Sequence, residues 1–321
     1  MEEQRLDLSV FSEKIQKIRE QISQVIVGQD EAVDLILTCI LANGHVLIEG
    51  VPGVAKTLLA RLVSKLINAK FNRIQFTPDL MPSDVLGTSV FNMKNTEFEF
   101  HKGPVFADVV LVDEINRAPA KTQAALFEVM EERQATVDGY TYAMDDIFTV
   151  IATQNPVEQE GTYKLPEAQL DRFLMKITMG YPSVEEEVSI LRRHQAVSEF
   201  TKLKEVAPVI TKEELMSLRA ELEHVIVDES LLRYIAQIVA QTRDSKAIYL
   251  GASPRASVAM LQASKAYALL QGRDFVTPDD IKFVTPSILQ HRLVLSAEAE
   301  MDGYTTTKVA KRLIDKVEVP K

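Results

Sequence analysis

His45-Val46-Leu47-Ile48-Glu49-Gly50-Val51-Pro52-Gly53-Val54-Ala55-Lys56-Thr57 is the stretch whose reading decides the fold. Val46–Ile48 is a short apolar run and reads as a buried strand. Gly50–Ala55 reads as a loop. Lys56 and Thr57 open a run, Leu58–Ile67, with apolar residues at helical spacing. Strand, glycine loop, Lys-Thr and helix together make a phosphate loop, in which backbone N–H groups and the helix N-terminus face phosphate oxygens. Lys56 is expected to reach the β- and γ-phosphates, and the Thr57 hydroxyl to ligate Mg²⁺. Ala55 stands where a glycine is usual. Its Cβ is harmless if the residue has negative φ and the phosphate does not press on it.

The 321 residues exceed one compact core, so two domains are expected. The apolar content of 46% and charged content of 26% are those of a soluble globular chain. No apolar run is long enough to span a bilayer, and the opening MEEQRLDLSV does not read as a signal peptide. These features, with no membrane insertion, make the cytoplasm the expected location. Cys39 is the only cysteine, which excludes internal disulfides and cysteine-built metal sites and suggests a buried, inert thiol. His45, His101, His194, His224 and His291 are dispersed and give no zinc-ligand spacing. The net charge of −10, without basic runs, disfavours a nucleic-acid partner.

Outward from the loop, Phe11, Ile15, Ile18, Ile22 and Val25 predict a first helix over 6–26. Val27-Gly28 is a tight turn, placed to line an adenine, ahead of a second helix from Glu31. Five strands alternate with helices: Val46–Glu49, Arg73–Phe76, Val109–Asp113, Phe148–Thr153 and Met175–Met179. That alternation predicts an α/β fold, a five-stranded parallel sheet with helices on both faces, and ligands at the carboxyl ends of the strands. Two hairpins interrupt it, Thr88–Phe100 and Ala135–Met144, the second turning at Asp138-Gly139. From about Thr201 no further strand pattern appears, so an all-α domain is expected over 199–321 after an α/β nucleotide-binding domain over 1–198.

Val109–Val112 is an apolar strand that runs into Asp113 and Glu114. Beside a phosphate loop, Asp113 would hold Mg²⁺ and Glu114 would polarise the attacking water. Asn155 ends the fourth strand, where it would face the γ-phosphate or cap the turn before Pro156. Arg172, after Asp171, is a candidate cation for the transferring oxygens of a neighbouring subunit, or the partner of Asp171 or Glu167 in a surface salt bridge. Arg255 opens a helix at Ser253-Pro254 and could meet a nucleotide there.

Four stretches resemble the MoxR family of AAA+ ATPases: GVPGVAKT (50–57), VDEINRAPAKTQAALFEVMEERQATVDG (112–139), IATQNPVEQEGTYKLPEAQLDRF (151–173) and GASPRAS (251–257). The resemblance runs from about Ile26 to Leu295, and Ala55 is usual within it; Lys164 departs from the family's frequent proline. It implies an AAA+ P-loop core with two β-hairpin inserts, followed by an α-helical lid. It implies an ATP and Mg²⁺ site across Val27, Gly28, Gly50, Pro52, Gly53, Val54, Ala55, Lys56, Thr57 and Leu58, with Thr57 and Asp113 on the metal side. Glu114 becomes the catalytic acid, Asn155 sensor 1, Arg172 an arginine finger and Arg255 sensor 2, while Arg117 could also face a neighbour. Such proteins are similar to hexameric ring ATPases with chaperone-like roles. They often act with a von Willebrand factor A domain protein in complex maturation or metal insertion. A nucleic-acid-stimulated motor and a nucleotide-gated scaffold that barely hydrolyses are the alternatives.

Overall fold

The structure, a computed structural model, describes residues 8–156, 162–196, 203 and 206–320. The boundary expected at 198/199, the first two residues of the 6–26 helix and part of the 151–173 motif lie outside these. Helix α1 (Ser9–Val25) buries the face Phe11, Ile15, Ile18, Ile22 and Val25 that its spacing marks, and α2 (Asp30–Leu41) follows after the Gly28 turn. Then come β1 (Val46–Gly50), α3 (Lys56–Leu66), β2 (Phe71–Gln75), α4 (Pro82–Leu86), and the hairpin β3 (Gly87–Asn92) with β4 (Glu97–Lys102). Next are β5 (Val109–Asp113), α5 (Ala120–Glu132), the hairpin β6 (Gln134–Val137) with β7 (Tyr140–Ala143), and β8 (Thr149–Gln154). The short α6 (Glu167–Leu170), β9 (Met175–Met179) and α7 (Val184–Ala196) complete the region.

Five strands form one parallel sheet in the order β2-β5-β8-β1-β9. Register places Gln75 level with Asp113, Glu49 level with Gln154, and Gly50 level with Met179. The carboxyl ends of all five strands therefore share one edge. Strand β2 starts two residues before the predicted Arg73, because its pairing with β5 extends back to Phe71–Val109. Alternation sends Val46, Ile48, Leu111 and Ile177 to one face, and Leu47, Val110, Val112 and Ala152 to the other. Each face has its own apolar core, as a sheet covered on both sides requires.

The helical region comprises α8 (Lys212–Glu221), α9 (Glu229–Asp244), α10 (Pro254–Leu270), α11 (Pro278–Leu289), α12 (Ala297–Met301) and α13 (Thr306–Lys316). The predicted start at Thr277-Pro278 is a capping box, with Asp280 accepting the Thr277 N–H at 2.7 Å. Contrary to the expectation of no further strand, β10 (Ile248–Leu250) and β11 (Val294–Leu295) pair antiparallel. Three and two residues are too short to show periodicity. The helical region has no separate core: Ile238, Met260, Val284 and Ile288 belong to the same apolar cluster as Ile36, Val46 and Leu62.

The two hairpins project together, joined by Phe100 and Tyr142 stacked 4.2 Å apart. Phe91, Met93, Phe98 and Tyr140 on them are exposed. Among the described residues no helix is long and apolar enough to cross a membrane.

Two buried histidines brace the far edge of the sheet. His45 Nδ1 accepts the Val150 N–H at 2.9 Å, so its Nε2 carries the proton and donates to Met130 O at 3.1 Å. His291 Nε2 donates to Phe173 O at 3.0 Å. Burial, aided by Arg133, lowers the His45 pKa to about 3, and burial, aided by Arg292, lowers that of His291 well below the ordinary value. A depressed folded pKa on a base means the unfolded chain binds the proton more readily. The stabilisation is thus complete above the unfolded pKa near 6.5 and is lost as pH falls toward the folded value. Unfolding free energy should drop by roughly 1 kcal/mol per histidine between pH 7.5 and 5.5. Urea titrations of His45→Gln and His291→Gln should each show a shallower pH slope than the native chain; equal slopes would remove the histidines from the account.

Candidate active site

The phosphate loop leaves β1 at Gly50, where a Cβ would come within 2.7 Å of Met179 O on the adjacent strand. Gly53 has φ +87°, open to glycine without strain. Ala55 has φ +62°, ψ +22°, so the condition of negative φ is not met. The loop enters α3 through a left-handed N-cap, and an alanine there costs about 1 kcal/mol. The first intrahelical bond of α3 runs from Leu59 N–H to Ala55 O at 2.9 Å, so the N–H groups of the opening turn point back along the axis toward the loop. Lys56 folds over this loop, its ammonium donating to Gly50 O and to Val51 O at 3.3 Å. Helix N-terminus, loop and lysine form a cradle for an anion of phosphate size.

Asp113 ends β5 beside the loop, with its side chain 8% exposed. Its Oδ1 accepts the Thr153 hydroxyl at 3.0 Å, and its Oδ2 lies 3.4 Å from Thr57 Oγ1 and accepts from Arg73 Nε at 2.6 Å. An aspartate oxygen and a threonine hydroxyl converging beside a phosphate cradle are the donor set that Mg²⁺ takes with nucleotide. Among the described residues no group of three or more His, Cys, Asp or Glu is placed to hold a metal ion of its own.

Glu114 also departs from regular backbone, with φ +56° and ψ +51°. Its N–H donates to Thr153 Oγ1 at 3.0 Å, fixing the turn, and its Oε2 accepts from Gln75 Nε2 at 2.8 Å and lies 3.1 Å from Arg117 Nε. Two strained non-glycine residues, Ala55 and Glu114, therefore stand at one site, where such strain is usually found. Asn155 is buried just past the end of β8. Gly28, φ +72°, faces a cavity of about 290 Å³ bounded by Thr178 of β9, Gln290 and Thr307. A Cβ on Gly28 would meet the Glu186 carboxylate at 2.2 Å.

Arg172 and Arg255 stand elsewhere. They border an open cleft with Asn43, Gly44, Glu131 and Arg292 at the amino ends of β1 and β9. Six residue steps separate Gly44 from Gly50, about 20 Å of extended chain. Arg172 Nη1 donates to Phe127 O. The salt bridge considered between Arg172 and Asp171 is not formed: Asp171 pairs with Arg292 at 2.7 Å and, more loosely, with Arg255 at 3.5 Å. Arg292 is buried and bonds Asp171 O, Phe173 O, Leu174 O and Ile288 O as well, tying the loop that carries Arg172 to α11. Arg255 is 65% exposed, its ion pairs to Asp171 and Glu131 no closer than 3.5 Å. Arg117 lies with its own Glu114.

Sequence reasoning missed Arg73, Gln75, Thr153 and Arg292. The run Arg73-Ile74-Gln75, polar on alternate positions beside the apolar Val109–Val112 of β5, is the signal for the first two; only the register shows that they flank Asp113.

Residues 45–175 match the ATPase family associated with various cellular activities (AAA), and residues 240–313 match an AAA lid domain. YeaC of Bacillus subtilis (strain 168), whose function is uncharacterised, is 49% identical over 95% of this chain and 94% of its own. Chaperone MoxR1 of Mycobacterium tuberculosis (strain ATCC 25618 / H37Rv) is 43% identical over 94% of this chain and 81% of its own. A crystal structure from Cytophaga hutchinsonii ATCC 33406, described as a proposed ATPase, superposes with a TM-score of 0.89 at 42% identity, covering 98% of this chain and 97% of that one.

Ala55→Gly should relieve the left-handed strain. The expected result is a gain of up to about 1 kcal/mol in unfolding free energy, read from the urea midpoint. A lower midpoint would contradict the positive φ.

Proposed function

The chain belongs to the MoxR family of AAA+ ATPases, and from that premise we propose that it hydrolyses ATP at a site shared between two copies, driving the remodelling of a protein client. The observation that carries this reading is the placement of charge. Anion cradle and acids occupy one end of the sheet, and the loosely held Arg255 stands with Arg172 at the other. One copy cannot bring both ends to one nucleotide, but head-to-tail contact between copies can. Such heterologous contacts close into rings; six copies is the number the family resemblance implies.

In this reading Lys56 and the opening turn of α3 hold the β- and γ-phosphates. Thr57 and Asp113 hold Mg²⁺, which supplies charge neutralisation on the phosphate oxygens. Glu114 orients water for attack on the γ-phosphorus, with Asn155 beside it. The bond to the bridging oxygen breaks, ADP leaves with that oxygen, and the water's proton passes to Glu114 or solvent. Arg172 and Arg255 of the neighbouring copy stabilise charge on the transferring group, and Val27-Gly28 borders the base.

The exposed Phe91, Met93, Phe98 and Tyr140 on the hairpins favour a polypeptide over a phosphate backbone, since they offer apolar area, and the exposed Lys94 and Lys102 are offset by Glu97 and Glu99. The chaperone naming of the Mycobacterium relative points the same way. A von Willebrand factor A domain protein is the partner proposed, in the maturation of a protein complex, with insertion of a metal centre as its specific form.

Lys56→Ala should weaken ATP binding at least tenfold, measured by equilibrium titration; native affinity would displace the site. Glu114→Gln should bind ATP but release phosphate about a hundredfold more slowly or worse. Arg172→Ala should be similarly slow. Mixed one to one, the two variants should regain up to about a quarter of native turnover, since some interfaces then pair an intact acid with an intact arginine. Absence of recovery in verified mixed assemblies would refute the shared site.

A further inference from the structure

Asp113 is nearly buried and needs a compensating positive charge. In this structure the charge comes from β2. Arg73 and Gln75 lie on the face of β2 that register sets beside Leu111 and Asp113. The Arg73 Nε donates to Asp113 Oδ2 at 2.6 Å, and one Nη donates to Gln75 Oε1 at 3.2 Å. The oxygen that Arg73 takes is the same Oδ2 that faces Thr57 Oγ1 at 3.4 Å. Oxygen atoms that would serve Mg²⁺ are therefore already in the company of a guanidinium. Two cations cannot share that oxygen without repulsion. The Arg73 side chain is 47% exposed, so its head has a direct route to water, whereas Asp113 at 8% has none.

We infer that Arg73 is the resident counter-cation of Asp113 and gives way when Mg²⁺ is bound with nucleotide. Arg73 is thus a positioning residue: it holds the buried carboxylate in place while the site is empty of phosphate, and it sets how much Mg²⁺ is needed to fill it. The inference rests on the reading of Thr57 and Asp113 as the metal side.

The test is a Mg²⁺ titration of the full chain with a fluorescent, slowly hydrolysed ATP analogue, followed by anisotropy, with a parallel affinity measurement in EDTA. Arg73→Gln keeps a donor toward Asp113 and removes the charge. Its Mg²⁺ midpoint should fall about fivefold, the scale of a half-exposed ion pair, with affinity in EDTA lowered by no more than about fivefold through the unpaired Asp113 charge. Arg73→Lys keeps the charge, protects folding, and should hold the midpoint within about twofold of native. An unchanged midpoint in Arg73→Gln overturns the inference. So does a loss of affinity in EDTA greater than about fivefold, which would make Arg73 a phosphate ligand. Should Arg73→Gln not fold, an Arg73→Lys midpoint more than about fivefold from native overturns it, and one within twofold supports it. If the native chain binds the analogue without any Mg²⁺ dependence, the underlying metal-side reading fails and takes this inference with it; Mg²⁺-dependent native binding with an unmoved variant midpoint defeats the exchange alone.

Discussion

Parallel hydrogen bonding in register is the constraint on which everything else depends. Five short strands, each supplying backbone donors and acceptors to its neighbours, end together at Gly50, Gln75, Asp113, Gln154 and Met179. The sequence distance between Lys56 and Asp113 is bridged by this pairing. Both faces of the sheet are apolar and covered, so a slip of one residue in β5 would turn Val110 and Val112 out of their core and carry Asp113 to the wrong face. The site is thus as firmly placed as the cores beneath it. Loop chemistry is then added at the edge, where backbone can leave regular geometry: Ala55 and Glu114 both adopt left-handed conformations there.

Electrostatics divides the arginines by how they are held. Arg292 is buried, with its guanidinium bonded to a carboxylate and several carbonyls; burial lowers its pKa, and Asp171 opposes that shift. It joins segments and has little freedom to do more. Arg73 is half-exposed with a short ion pair, and Arg255 is mostly exposed with long ones. Exposed pairs are weak and easily exchanged. The cations best able to change partners are thus found beside Asp113 and at the opposite sheet edge.

Much of this was legible in the chain because it is local. The phosphate loop, the acid pair after Val112 and the Asp138-Gly139 turn each declare themselves within a dozen residues. The five strands followed from short apolar runs and the two hairpins from their turn residues, with ends off by one or two residues where pairing partners decided them. What sequence could not give was non-local or torsional. Arg73 reads as one more charged residue until register sets Gln75 against Asp113. Arg292 reads as a helix-end arginine until the fold brings Asp171 to it. The φ of Ala55 is set by how the loop must enter α3, not by the preference of alanine, and β10 with β11 is too short to announce itself.

The apolar cluster that runs without a break from β1 through α2 into α10 and α11 has a mechanical meaning. Arg292 fastens α11 to the opposite sheet edge. A close-packed interior transmits displacement instead of absorbing it. The chain then has little internal slack, and a disturbance at the phosphate loop is stiffly coupled to the cleft at the other end of the strands. Under the shared-site proposal, a displacement would then be passed across the contact between copies and not absorbed within one.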